Sequence, residues 1–309
     1  SVRNKALLKK SELYVNLEPC SHHGRTPPCA DLIVKMGVPR VFIGSLDENS
    51  RVNGAGVARL ERSGCEVTVG ILEKECRELN RRFFTFHRRK RPYVILRWAD
   101  SADGFIFPAE DQVGERGPVW ISNTYSRQLV HKWRAEEEAI LVGTRTMEQD
   151  DPSLTVREVK GKPILRLVID RQGRSSWQSK VFQGEFRTVV FAEKGNCQRQ
   201  IPEELKNNVR IKELDFGASL AMQIVDFLFE EEAQSLIVEG GAVTLNAFIE
   251  AGLWDEARVF RGNVLFEEGL GAPKLSGMPE KEVSIRGDRL LYYRNDSEDG
   301  TSGSIKNRT

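Results

Sequence analysis

Cysteine is scarce: five in 309 residues, at positions 20, 29, 65, 76 and 197. An odd, sparse set in a chain this long argues against a disulfide framework and for a reducing compartment, so the protein is read as cytoplasmic. Neither sign of charge is in excess, because 46 Lys and Arg against 45 Asp and Glu leave a formal net charge of +1. Composition therefore makes no electrostatic case for a nucleic-acid or membrane partner, and any basic patch must be local. No stretch approaches the roughly 18 uninterrupted apolar residues of a membrane span, and the polar start SVRNKALLKK is not a signal peptide. G-x-G-x-x-G is also missing, which disfavours a standard Rossmann domain.

What is present is an ordinary soluble composition, 39% hydrophobic and 29% charged, in a chain long enough for two domains with their own cores. From Glu12 to about Leu79, strands and helices alternate. The segments are LYVNL, a Cys-rich turn, a helix from Pro28 to Met36, RVFIGS, a helix through VARLERSG, EVTVG, then the helix ILEKECREL. RRFFTFHRRKRP reads as the joint between domains. A second series opens at Pro92 with the strand YVILRWA and a long helix after Ser122. It continues through the strands AILVG, ILRLVID and TVVFAE, the helix SLAMQIVDFLFEE, SLIVEGG, the helix AVTLNAFIEAG, and the closing strands EARVFRGNVLF and RLLYYR. The order is α/β. NDSEDGTSGSIKNRT has no apolar face to bury, so residues 296–309 are expected to be disordered.

Two segments carry chemistry. In LEPCSHHGRTPPCADLI, Cys20 follows a strand and Cys29 sits in the first turn of a helix opened by Pro27 and Pro28. A helix start favours thiolate over thiol, so both are placed to ligate a metal; the competing reading is a buried free cysteine with an incidental neighbour. In SLIVEGGAVTLNAFIEAGL, an apolar strand meets an amphipathic helix through Gly240 and Gly241, whose backbone N–H groups can approach a pyrophosphate. The competing reading there is a tight turn.

EPCSHHGRTPPC resembles the widened cysteine motif of the bifunctional riboflavin-biosynthesis deaminase/reductase family, and the resemblance extends through essentially the whole chain. It implies a partial cytidine-deaminase-like domain over residues 1–88, with zinc on Cys20 and Cys29, followed by a dihydrofolate-reductase-like, NADPH-dependent domain over residues 92–295. The H-x-E element, which brings the remaining zinc ligand and the proton-shuttling Glu in such deaminases, occurs nowhere in this sequence. SVRNKALLKK is expected to be the remainder of its helix, and deamination is expected only with the missing part restored. His22 or His23 is a weak substitute ligand, and Glu18 reads as a polar contact at the strand end rather than a base. His22, His23, Arg25, Thr26, Asn49 and Asn53 would line the deaminase mouth, although turn chemistry explains the last two equally well.

For the reductase half, the resemblance implies NADPH at Asp100, Trp120, Thr146, Asp150 and the run Gly241, Ala242, Val243, Thr244, Leu245, Asn246 and Ala247. It implies substrate at Arg134, Leu154, Arg157 and Glu239, with Pro118 at a further contact position. Arg97 stands where the family typically has Lys, and Asp100 where a small residue is common. Glu239 is the candidate catalytic residue, orienting ribose hydroxyls or supplying a proton; the plainer reading is a carboxylate favoured by a helix N-terminus. Arg134 and Arg157 suit a phosphate clamp, Arg171 and Arg174 are candidates for the cofactor 2′-phosphate, and Arg127 reads as a solvated helix face. In the long helix, Ser122 is expected as the N-cap and Tyr125, Leu129 and Trp133 as the buried stripe. The expected reaction is reduction of the ribosyl chain of 5-amino-6-(5-phosphoribosylamino)uracil to ribityl. The expected partners are small pyrimidine ribosyl phosphates, with a homo-oligomer built through the reductase domain. Two alternatives stand beside it: a nucleic-acid deaminase using RRFFTFHRRKRP as its binding strip, and a non-catalytic binding protein with a structural zinc remnant.

Overall fold

The computed structural model describes residues 5–23, 27–49, 53–109, 112, 118–156, 163–195 and 199–295. Arg25, Thr26, Arg157 and the tail from 296 to 309 lie outside the described residues. The chain divides into two compact units, Ser1–Arg91 and Pro92–Thr309. No helix among the described residues is long and apolar enough to cross a membrane.

In the first unit, β1 (Glu12–Leu17), β2 (Arg40–Ser45) and β3 (Glu66–Val69) form a parallel sheet in the order β1-β2-β3. The helices are α1 (Cys29–Met36), α2 (Ala55–Glu61), α3 (Glu73–Leu79) and α4 (Arg81–Arg89), and Lys5–Lys10 is a 3₁₀ turn. Parallel strands need crossover helices, which here bury one face: Val41 and Ile43 of β2 share a core with Ala30 and Ile33 of α1 and Leu60 of α2. The stretch read as a joint is the helix α4. Its Phe84 and Phe86 are buried and the Arg77 guanidinium covers the Phe84 ring at 4.4 Å, so these two rings are not free to stack on bases. That takes two of the strip's three phenylalanines out of reach of bases.

The second unit contains β4 (Tyr93–Asp100), β5 (Phe105–Pro108), α5 (Thr124–Glu136), β6 (Ala139–Gly143), α6 (Thr144–Asp150), β7 (Leu165–Ile169), β8 (Thr188–Glu193) and β9 (Val209–Leu214). It continues with α7 (Leu220–Glu230), β10 (Ser235–Val238), α8 (Ala242–Glu250), β11 (Glu256–Arg261), β12 (Gly269–Gly271), β13 (Lys281–Ile285) and β14 (Asp288–Arg294). Nine described strands make one sheet in the order β13-β14-β11-β4-β10-β6-β7-β8-β9. It is parallel from β11 to β9, with β14 and β13 added antiparallel, while β5 and β12 form a separate ribbon. Period-two alternation sends neighbouring side chains of β4 to opposite faces. Val94, Leu96 and Trp98 join Ile224 and Leu228 of α7 and Leu245 and Phe248 of α8; Tyr93 and Ile95 join Val130 and Trp133 of α5. Both faces are covered, which is why β4 reads as a nearly continuous apolar run.

The start of α5 departs from expectation. Asn123, not Ser122, is the cap: its Oδ1 accepts from the Ser126 N–H at 3.0 Å and its Nδ2 donates to the Ile285 carbonyl at 2.7 Å. The Ser126 hydroxyl donates to Asp288 Oδ2 at 2.6 Å. These ties draw the Ser126–Val130–Trp133 face inward, and Tyr125, expected in the buried stripe, is 55% exposed.

Candidate active site

Neighbouring parallel strands β6 and β10 both run straight into helices through glycine, and the Gly143 N–H donates to the Gly240 carbonyl at 2.9 Å. A Cβ on Gly143 would lie 2.7 Å from Thr244 Oγ1, so the close approach of α8 to β6 requires a glycine there. Gly240 takes φ +127°, a region open to glycine, and the Gly240–Gly241 peptide is cis. Gly241 caps α8 without any side-chain acceptor, leaving the first-turn N–H groups unpaired within the helix.

These turns border a cavity of about 400 Å³ at the C-terminal ends of the strands. Gly241 to Leu245, Thr146 and Asp150 line one part; Trp98, Ile106, Phe107 and Leu270 give the other part an apolar wall. Glu239 lines the same cavity. Its carboxylate, 4% exposed, accepts from Arg134 Nε at 2.9 Å and Nη2 at 2.5 Å, and Arg97 Nη1 stands 3.7 Å away. Burial opposes its charge, but the Arg134 guanidinium, then Arg97 and His131, outweigh burial and hold the carboxyl below the usual carboxylate range. At neutral pH Glu239 is therefore an acceptor, which favours orientation of hydroxyls over proton supply. Asp150 contrasts with it. No hydrogen bond to its carboxylate is made among the described residues, and burial alone pushes it up to about 6.

The cavity thus brings together Thr146, Asp150, Glu239 and Gly241 to Leu245 of the expected set. Arg134 reaches it through Glu239. The other described positions of that set are not among the residues lining it. Asp100 is buried and forked to Arg261, with both oxygens accepting at 3.0 Å. Trp120 is 64% exposed beneath the Arg127 guanidinium at 4.4 Å, and Arg127 also donates to the Ser122 carbonyl, so it is no free solvated cation. Leu154 is buried in the α5-side core, and Asn246 and Ala247 lie further along α8. Arg171 is paired with Glu193 at 2.6 Å, whereas Arg174 lines a polar depression with Pro118 and Lys180 that shares Gln149 and Asp150 with the cavity. Sequence reasoning missed the apolar wall and the helix α6 that carries Thr146 and Asp150. The available signal was the Gly143–Thr144 step after β6, which mirrors the Gly241–Ala242 step after β10.

In the first unit, the Cys29 N–H donates to Cys20 Sγ at 3.3 Å, so the two sulfur-bearing residues do meet. Burial, then the hydrogen bond and charge of Cys20, push the Cys29 thiol up, against the expectation from the helix start. Neither His22 nor His23 completes a set, for no group of three or more His, Cys, Asp or Glu able to hold a metal occurs among the described residues. Glu18 is more than a strand-end contact: it is 4% exposed and accepts from the N–H groups of Asp47, Gly54, Gly56 and Val57 at 2.8–3.2 Å. The Asn49 N–H donates to Asp47 Oδ1 at 2.7 Å and the Asn53 N–H to the Asn49 carbonyl at 3.2 Å, as turn chemistry requires.

A parallel sheet with a glycine-lined cavity beyond its strand ends defines an α/β protein with a small-molecule site at that edge. Residues 92–282 match the RibD C-terminal domain. The chain is 38% identical over 280 residues to the riboflavin biosynthesis protein RibD of Aquifex aeolicus (strain VF5), covering 90% of this chain and 76% of that one. A crystal structure from Thermotoga maritima, described as a diaminohydroxyphosphoribosylaminopyrimidine deaminase/5-amino-6-(5-phosphoribosylamino)uracil reductase, superposes with a TM-score of 0.76. That pair is 32% identical, over 92% of this chain and 79% of that one. Acinetobacter baumannii RibD, form 1, gives a TM-score of 0.78 at 28% identity, over 93% and 82%. The chain belongs to the RibD family of riboflavin biosynthesis proteins.

Proposed function

We propose that the second unit reduces the ribosyl chain of 5-amino-6-(5-phosphoribosylamino)uracil with NADPH. The observation that carries this reading is the ionised, doubly hydrogen-bonded Glu239 beside the glycine-lined start of α8, in one cavity. The residues fit the cofactor: uncapped N–H groups at the α8 start suit a pyrophosphate, and the Asp150 carboxylate, without a donor among the described residues, suits a ribose hydroxyl. Arg174 and Lys180, in the adjoining depression, suit the 2′-phosphate. When bound there, NADPH would supply hydride to the imine carbon of the opened ribosylamine, with solvent giving the proton that the nitrogen takes up. The chain must hold that carbon at near-attack distance, keep Glu239 ionised against the sugar hydroxyls, and anchor the phosphate. Arg134, Arg157, Leu154 and Glu239 are the substrate positions of this reading.

For the first unit, we propose a cytidine-deaminase-like zinc turn in which Cys20 and Cys29 are two ligands. This donor set falls short of the three protein ligands a catalytic zinc takes, and no deamination step is derived. Cobalt(II) titration tests it: thiolate-to-cobalt charge-transfer absorption is expected in the wild type and absent in Cys20→Ser. The reductase reading is tested by loss of NADPH absorbance with the phosphoribosylaminouracil. A folded protein that binds NADPH but never oxidises it would favour the non-catalytic alternative.

A further inference from the structure

Trp98, near the C-terminal end of β4, lines the cavity and is 5% exposed. Its indole Nε1 is shut off from water and has no hydrogen-bond partner among the described residues. A buried Trp N–H is ordinarily paired, so this donor calls for a partner from outside the chain. The wall around it is equally without a use in the reading above. Ile106 and Phe107 of β5 and Leu270 of β12 line the same cavity, and none of them suits a phosphate or a sugar hydroxyl.

Strand geometry decides which ligand meets this wall. Successive side chains of β4 leave on opposite faces. Arg97 belongs to the α5 face, where it approaches Glu239 and covers the Phe260 ring at 5.6 Å, and where Arg134 of α5 holds Glu239. Trp98 belongs to the α8 face and shares its core with Leu245, in the first turn of α8, which also lines the cavity. Arg134 and Glu239, the described polar substrate positions, therefore go with one face, and Trp98 goes with the uncapped start of α8 on the other. The ladder that pairs Val238 of β10 with Leu96 of β4 brings Gly240, two residues on, level with Trp98, at one strand spacing of about 4.8 Å. On the far side of β10 the sheet continues with β6 and β7, and beyond β6 come Asp150 and the depression holding Arg174 and Lys180. A dinucleotide with its pyrophosphate at the α8 start and its 2′-phosphate in that depression turns its nicotinamide end towards β4.

We infer that Trp98 binds the nicotinamide end of the cofactor: the ring lies on the wall of Trp98, Ile106, Phe107 and Leu270, and its carboxamide oxygen accepts from Nε1. Ile106 packs on the core that holds Trp98, and its ribbon pairs with no strand of the main sheet among the described residues, so it is free to part from the indole and uncover the N–H. This inference rests on the NADPH reading above. Trp98→Phe, which keeps an aromatic ring and removes the N–H, tests it by calorimetric titration of the full chain without substrate. NADPH affinity is expected to fall roughly three- to tenfold, the worth of one neutral hydrogen bond. Adenosine 2′,5′-bisphosphate, which carries the 2′-phosphate but no nicotinamide, should bind within about twofold of the wild type. The thionicotinamide analogue of NADPH, a weaker acceptor at the same atom, should lose affinity in the wild type and much less in Trp98→Phe. Should Trp98→Phe fail to fold, Leu270→Ala on the ribbon takes its place, with NADPH about threefold weaker and the bisphosphate again spared. Unchanged NADPH affinity, an equal loss for both ligands, or a loss seen only as a raised KM for the phosphoribosylaminouracil would overturn the inference. Wild-type titrations come first: if neither ligand binds, the NADPH reading itself falls, a failure distinct from inert Trp98 variants beside a wild type that binds.

Discussion

Glu18 and Glu239 occupy matching places in the two units: each is the residue just after a parallel strand, and each carboxylate is withdrawn from water and hydrogen-bonded. Their partners differ. Glu18 is satisfied by four backbone N–H groups, which makes it a fixture of the chain's own loops. Glu239 is satisfied by the guanidinium of one arginine side chain, with a second guanidinium close by, at the wall of a cavity. Backbone donors cannot leave without unfolding the loop, whereas a side-chain donor can share its acceptor with a ligand. Buried carboxylates thus divide by partner into those that build and those that bind.

Breaking the Glu239 side should have the larger consequence. Glu239→Gln removes the charge that faces Arg134 and Arg97, leaving buried guanidinium groups without a counter-charge and the sugar hydroxyls without an anionic acceptor. Turnover is expected to fall by about 100-fold or more, read as the steady-state rate of NADPH oxidation. Glu18→Gln should act on stability instead. Its amide N–H₂ would face backbone donors, and losing charged hydrogen bonds of ~1.5–3 kcal/mol each points to a destabilisation of about 2–4 kcal/mol. Denaturant unfolding measures that, while NADPH oxidation by the folded fraction should stay within twofold. A Glu18 variant that lost reductase activity with its fold intact would erase the distinction.

Legibility followed distance along the chain. The SLIVEGG-to-helix step and the Cys20–Cys29 turn were readable because each is local: strand, turn residues and helix start lie within one window. The short α6, TRTMEQD, was not, because Met147 is its one large apolar residue and a single buried position shows no amphipathic period. The partnership of Arg134 with Glu239 spans 105 residues and that of Asp100 with Arg261 spans 161, and neither leaves a trace in spacing. Sequence reasoning accordingly grouped Arg134 with Arg157 as a phosphate clamp, and carried Asp100 to the cofactor by resemblance. The structure spends one on Glu239 and the other on an ion pair.

The glycine turn offers a sharper probe of the cavity side. Gly143→Ala would set a methyl group 2.7 Å from Thr244 Oγ1, and Thr244 belongs to the first turn of α8. Overpacking of this kind costs about 1–3 kcal/mol. The expected result is a roughly tenfold weaker NADPH affinity by fluorescence titration, with Glu18's unit unaffected.

Asp150 supplies the smallest effect and the most direct extension of the contrast, since it is a half-buried carboxylate that neither backbone nor guanidinium satisfies among the described residues. Its pKa is raised to about 6 by burial, against 3.8 ordinarily. The folded chain therefore binds a proton that the unfolded chain has released between those two values, and stability should rise as pH falls from about 7 to about 4. The cost of ionisation, fully present above pH 6, is about 1–2 kcal/mol after allowing for the water that reaches the group. Asp150→Asn should abolish this dependence: the variant gains on the wild type as pH rises through 6, and the two converge near pH 4, in unfolding measured across that window. Saturating NADPH should flatten the wild-type profile as well, because a hydroxyl donated to the carboxylate lowers its pKa. A profile indifferent to NADPH would mean that the cofactor does not cover Asp150, and that this carboxylate belongs with neither the builders nor the binders.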